Sequence, residues 1–150
     1  MSADQVRDPE LLSTPVYAES LRVRHVAHGR LAGTARAVAR HQAAAGWTAD
    51  LGEAAECDVL VFWGRVPRAT DIVGAGSVVV VLDEAAGPAW LATRRSLRGV
   101  NVVLLPPRQL QRWLRWGPVV PLAPLPAHLA DAVGAGQMSA WIARAYAFGG

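Results

Sequence analysis

The sequence contains no lysine: all fifteen of its basic side chains are arginine. Arginine stays ionised and offers a planar fork of donors to phosphate or carboxylate, so the choice suits an anionic partner. A GC-rich coding sequence produces the same bias and raises alanine, glycine and valine alongside. Cysteine is nearly absent as well. The single Cys57 excludes an internal disulfide and fits a reducing compartment. Nor is there a long apolar run. The longest candidate, "SVVVVL" at 77–82, is strand-sized and far short of the ~18 residues that a membrane span needs. The first twenty residues carry acids ("SADQVRDPE") and no basic stretch leading into an apolar one, so no secretory signal is read. A cytoplasmic protein without a membrane span is the expectation.

What is present is a chain rich in apolar residues. With 150 residues, 52% of them hydrophobic, it can build one core of its own, since domains cluster at roughly 100–150 residues. The formal net charge of +3 is too small to demand a polyanion, which puts a nucleic-acid partner behind the alternatives. Three segments follow from composition: an extended N-terminal arm over 1–20, a single α/β domain over 21–125, and a C-terminal helical segment over 126–150 that packs back on it.

From position 21 the pattern is regular. Strands are predicted at 21–26 ("LRVRHV"), 47–51, 58–63 ("DVLVFW"), 77–82 and 101–105 ("NVVLL"), with a sixth short extended piece at 118–122. Helices are predicted at about 33–45, 67–73, 88–97, 108–116 and 139–147, the last preceded by a possible further turn at 127–133. Continuous valine and leucine runs mark strands buried on both faces, as in a parallel sheet. Alternation with helices implies right-handed crossovers. The predicted fold is therefore a Rossmann-like, doubly wound α/β domain, with a mainly parallel sheet of five to six strands and helices on both faces.

In open sheets of this kind, ligands bind beyond the carboxyl ends of the strands, where the strand order reverses. That rule selects the turns near 28–33, 63–68, 83–87 and 106–108. In the first of them, Gly29 and Gly33 permit close backbone approach to an anion. Thr34 can cap the helix or touch a ligand, and Arg36 can supply charge. His28 is an acid/base candidate, whereas His25, on the strand, reads as packed or hydrogen-bonded. Trp63 ends the third strand. Asp83 and Glu84 follow a buried strand and can either bind a ligand or cap the next helix. Cys57 precedes a buried strand with no cationic neighbour in sequence and reads as an inert thiol. The histidines and the cysteine show no metal-ligand spacing, and no cofactor is expected.

"RQLQRWLRWG" forms a separate candidate. As a helix it aligns Arg108, Arg112 and Arg115 in one stripe, with Leu110, Trp113 and Leu114 toward the core and Trp116 near the boundary. Such a face is either solvated or a contact surface for a partner, since arginine and aromatic residues concentrate at interface hot spots.

The run "GRLAGTARAVARHQAAAGWTADL" resembles the first βα unit of the GT-B glycosyltransferases, in the retaining group that includes sucrose and mannosyl transferases. There a strand leads into a Gly-Gly-x-Glu-Arg turn, a helix and a Gly-His-x-Val strand. The corresponding positions are Ala32, Gly33, Thr34, Ala35 and Arg36, then Gly46, Trp47, Thr48 and Ala49. "DVLVFWG" is similar to the family's Asp-Val-Val-x-x-His-Gly strand, with Trp63 where histidine is usual. "VVVVLDE" resembles its Val-x-Thr-x-His-Asp strand. "NVVLLPPRQLQRWLRWGPVVPLAP" resembles the run from a Val-x-Ser turn to a Val-Ile-Pro-Asn-Gly segment. "MSAWIARAYAF" is similar to the closing helix. The departures are Ala32 for the first glycine, Ala35 for the glutamate, and Pro121, Leu122, Ala123 for the Pro-Asn-Gly step.

The resemblance covers about 21–125 and the final helix. It implies the acceptor-side half of a two-domain clamp, and the donor-binding half is not in this sequence. A clamp works by positioning donor against acceptor, so transfer by the isolated chain is not expected. The implied function is a glycosyltransferase-like protein that binds a glycan, a nucleotide sugar or another phosphorylated ligand, or pairs with a partner supplying the donor domain. Were transfer to occur, the 28–36 turn would hold phosphate, and Asp83 or Glu84 the acceptor hydroxyl. The alternative is a non-enzymatic interaction subunit of a larger assembly or homo-oligomer, with Arg108, Arg112, Arg115 and Trp116 as contacts.

Overall fold

Side chains alternate across a strand, so an unbroken apolar strand can be stable only between two covering layers. That is the arrangement found. The computed structural model describes residues 21–83, 97–115 and 120–149. It contains strands β1 (Arg22–Ala27), β2 (Thr48–Leu51), β3 (Cys57–Trp63), β4 (Ala75–Val81), β5 (Val102–Leu105) and β6 (Leu122–Pro124). The described α-helices are α1 (Ala32–Ala44), α2 (Pro107–Arg115) and α3 (Ala132–Gly149), with 3-10 turns at Gly29–Leu31 and Ala69–Ile72.

All six strands lie in one parallel sheet, in the order β2-β1-β3-β4-β5-β6. On one face Val23, Val59, Val61, Val79 and Leu104 pack against Ala35 and Val38 of α1 and Met138 and Ile142 of α3. On the other, Val26, Leu60, Phe62, Val80 and Leu105 pack around Trp113 of α2. The α/β, Rossmann-like architecture read from the valine runs is thus the one adopted.

Three details differ from the sequence reading. The sixth strand falls at 122–124, where the expectation was 118–122, of which 118–119 lie outside the described residues; Pro121 has no N–H to donate to a ladder. Pro121 instead accepts from the Val103 N–H at 2.9 Å. Helix α2 buries Gln109 and Trp113, and Leu114, expected toward the core, is 55% exposed. The last helix starts at Ala132, well before the expected 139. The arm at 1–20 and the helix expected at 88–97 (except Leu97, which is buried) lie outside the described residues.

Candidate functional site at the carboxyl edge of the sheet

After β1 the chain moves outward to form β2, then returns to the other side of β1 for β3. The strand order reverses there, which is where open α/β sheets bind ligands, at the carboxyl ends of the strands. The turn leaving β1 builds one wall. Gly29 takes φ +72, a left-handed conformation that glycine adopts without the steric cost a Cβ brings, and lets the chain turn directly into α1. His28 and Arg30 are exposed on this turn, Gly33 and Arg36 on the start of α1, and Thr34 is half-buried. Leu31 occupies the α1 N-cap and provides no side-chain hydrogen bond.

Arg30 was not singled out from sequence, yet it reaches furthest across the edge. Its Nη2 and Nε donate to Oδ2 of Asp83 at 2.6 and 3.1 Å. Asp83 follows β4, so the pair bridges the end of the intervening strand β3. Beneath it, the Gly64 N–H donates to the Val81 carbonyl at 2.7 Å. Leu31 Cδ1 stands 3.3 Å from where a Gly64 Cβ would be. The only sequence signal for Arg30 is its place next to Gly29 at a strand's carboxyl end. Its partner is 53 residues away, and no local pattern connects them.

Two other acids near this edge also have basic neighbours. Glu53 lies 3.8 Å from the exposed His28 imidazole, and Asp50 accepts from the Arg24 guanidinium at 2.7 Å. Beyond β3, the guanidinium of Arg65 stacks on Phe62, 5.0 Å from the ring centroid. Asp71 accepts the Arg68 backbone N–H at 2.9 Å. That bond, with help from the Arg68 and Arg65 side chains, holds its carboxyl below the usual range.

The structure places His28 and Gly29 on the turn leaving β1, and Gly33, Thr34 and Arg36 in the first turns of α1; Asp83 is joined to this segment through Arg30. The structure does not bring Trp63 into the accessible lining. Trp63 is 2% exposed and donates its indole N–H to His25 Nδ1 at 2.9 Å. His25 therefore carries its proton on Nε2 and donates to Gln42 Oε1 at 2.7 Å, while Gln42 Nε2 donates to Ser139 Oγ at 3.1 Å. This chain of donors ties β3 and β1 to α1 and α3. Burial pushes the His25 pKa down to about 4, against the raising effects of the Gln42 bond and the Asp50 charge. His25 is a core residue. Cys57 is buried too, and burial pushes its thiol up, which disfavours the reactive thiolate.

Arg108, Arg112 and Arg115 are exposed on α2, apart from the β1–α1 turn. Glu84 and Trp116 lie outside the described residues. Among the described residues, no group of three or more His, Cys, Asp or Glu side chains could hold a metal ion, and no helix is long and apolar enough to cross a membrane. No family model matches the chain, and no curated protein or solved structure gives a match. What the edge offers chemically is a glycine turn flanked by the guanidinium groups of Arg30 and Arg36, with Asp83 and Asp50 already paired to arginine. That inventory favours holding an anion over moving a proton.

Proposed function

We propose that this chain is a glycosyltransferase-like binding module whose carboxyl edge takes a phosphorylated ligand, such as a nucleotide sugar or sugar phosphate. As an isolated chain it binds and does not transfer. The reading is carried by the Arg30–Asp83 pair at the point of strand reversal. A guanidinium whose two N–H groups hold one carboxylate oxygen can hold a phosphate oxygen in the same geometry. The open backbone at Gly29, where nothing lies within 4 Å of an added Cβ, and the exposed Arg36 on α1 support the same reading. Transfer would require a second jaw to orient the donor, and a partner supplying that jaw belongs to this proposal.

Calorimetric titration with UDP, glucose 1-phosphate and UDP-glucose tests the reading. It predicts saturable binding that Arg30→Ala weakens roughly tenfold or more, the scale of a lost charge-assisted hydrogen bond. Release of free sugar should stay at background. Absence of binding, or binding indifferent to Arg30→Ala, contradicts it.

A second reading, an interaction subunit, is favoured by one observation. The exposed stripe of Arg108, Arg112 and Arg115 runs beside a Leu114 that is 55% exposed, and aromatic or arginine-rich surfaces with apolar neighbours suit protein contacts. Light scattering after size exclusion decides whether the chain self-associates. A monomer that captures no partner through α2 removes this reading.

A further inference from the structure

A concavity of about 420 Å³ opens between the segment leaving β6 and the side of α3. Pro124, Leu125 and Pro126 form one wall, and Gln137, Trp141 and Arg144 of α3 form the other. The three α3 residues recur at helical spacing and so share one stripe. Among the described residues, Arg144 is the only charged one in the lining. Its guanidinium carbon lies 4.7 Å from the Trp141 ring centroid, and it forms no ion pair among the described residues. The volume falls within the roughly 300–1,000 Å³ of small-molecule sites.

We infer that this groove binds a small monoanion with a flat apolar body, of the arylcarboxylate class. Stacking on an indole occupies a face of the guanidinium and leaves the N–H groups at its edge free to fork onto a carboxylate. The ring also removes water from one side of the cation, which strengthens its attraction for an anion beyond that of a fully solvated arginine. The apolar body of the ligand meets the prolines, Leu125 and the indole, and the Gln137 amide supplies a second donor. Charge complementarity sets the class. One cation among apolar walls compensates one negative charge, so a di- or triphosphate would leave charge unmatched, and a hydrocarbon would desolvate Arg144 with nothing in return.

The test uses the whole chain labelled with ¹⁵N, with the Trp141 indole resonance assigned through Trp141→Phe. Benzoate is titrated against benzyl alcohol, its uncharged counterpart of similar shape. Benzoate should shift the Trp141 resonance saturably, and benzyl alcohol should bind at least about tenfold more weakly, the minimum expected for a charge-assisted bond. Arg144→Met, which keeps the length of the side chain, should make the two ligands equivalent. The inference is overturned by the lack of a saturable shift at Trp141, by equal affinity of the two ligands, or by a preference that survives Arg144→Met. Should that variant not fold, the comparison on the unaltered chain decides the matter by itself.

Discussion

Protonating His25 would break its bond with Trp63, because the indole N–H and a new Nδ1–H would face each other where a donor and an acceptor stood 2.9 Å apart. The unfolded chain suffers no such conflict and takes its proton near pH 6.5, whereas the folded protein resists until about pH 4. Between those values the unfolded state holds more protons, so lowering the pH favours unfolding. The contribution is fully present above pH 6.5 and is lost as the pH falls toward 4. At about 1.4 kcal/mol per pH unit, the loss reaches roughly 3 kcal/mol. Urea titrations at pH 7, 6, 5 and 4 should show this decline, and His25→Leu should flatten it over the same interval. A decline of unchanged steepness in the variant would assign the effect to other groups. Asp83→Asn makes a second residue-scale prediction. The Arg30 side chain is 69% exposed and that of Asp83 25%; the substitution frees the guanidinium and should tighten glucose 1-phosphate binding severalfold by calorimetry. Unchanged or weaker binding would mean that Asp83 does not compete with the ligand. Sequence alone identified His25 as packed or hydrogen-bonded and singled out Asp83. It could not connect either to its partner, because Trp63 and Arg30 lie 38 and 53 residues away. Trp63 ends β3 beside the candidate site, but its side chain falls on the buried α1 face of the sheet. Only the register of β3 settles that.

Elements are where glycine misleads. Two glycines, Gly134 and Gly136, lie between the turn expected at 127–133 and the helix expected from 139. Both are in fact helical, for different reasons. A Cβ at Gly134 would run into the carbonyl oxygens of Ala127 and His128, so the loop closes directly onto the helix there. At Gly136 nothing lies within 4 Å of an added Cβ. Alanine is the better helix former by roughly 1 kcal/mol. Gly136→Ala should therefore raise the melting temperature, while Gly134→Ala should lower it through a clash costing roughly 1–3 kcal/mol. Thermal melts of the two variants check both signs, and a gain at both positions would refute the close approach. In α2 the arginine stripe was legible from its spacing. The buried side was misjudged by about one position, because Gln109 and Trp113, four apart, face the core and Leu114 turns outward. A polar Gln109 gives no hydrophobic signal to reveal that rotation.

The whole molecule is a sheet shared by two cores. The strands belong to both, with alternate residues of β3 such as Val61 and Phe62 packed on opposite faces. Neither core can melt without exposing the other, so unfolding should be cooperative. Near-ultraviolet and far-ultraviolet circular dichroism should report coincident thermal transitions, and separate midpoints would show the faces to be independent. At this scale the sequence was most legible, because unbroken Val and Leu runs admit few arrangements besides a covered parallel sheet. Strand order is not encoded locally, so the reversal between β1 and β3 emerged only from the fold. The central claim is that the carboxyl edge there holds a phosphorylated ligand. A backbone amide shift map on adding UDP tests it most directly. The claim predicts shifts that saturate together and cluster at residues 28–36, 64–65 and 83. Shifts gathered on α2 or scattered without saturation would contradict it.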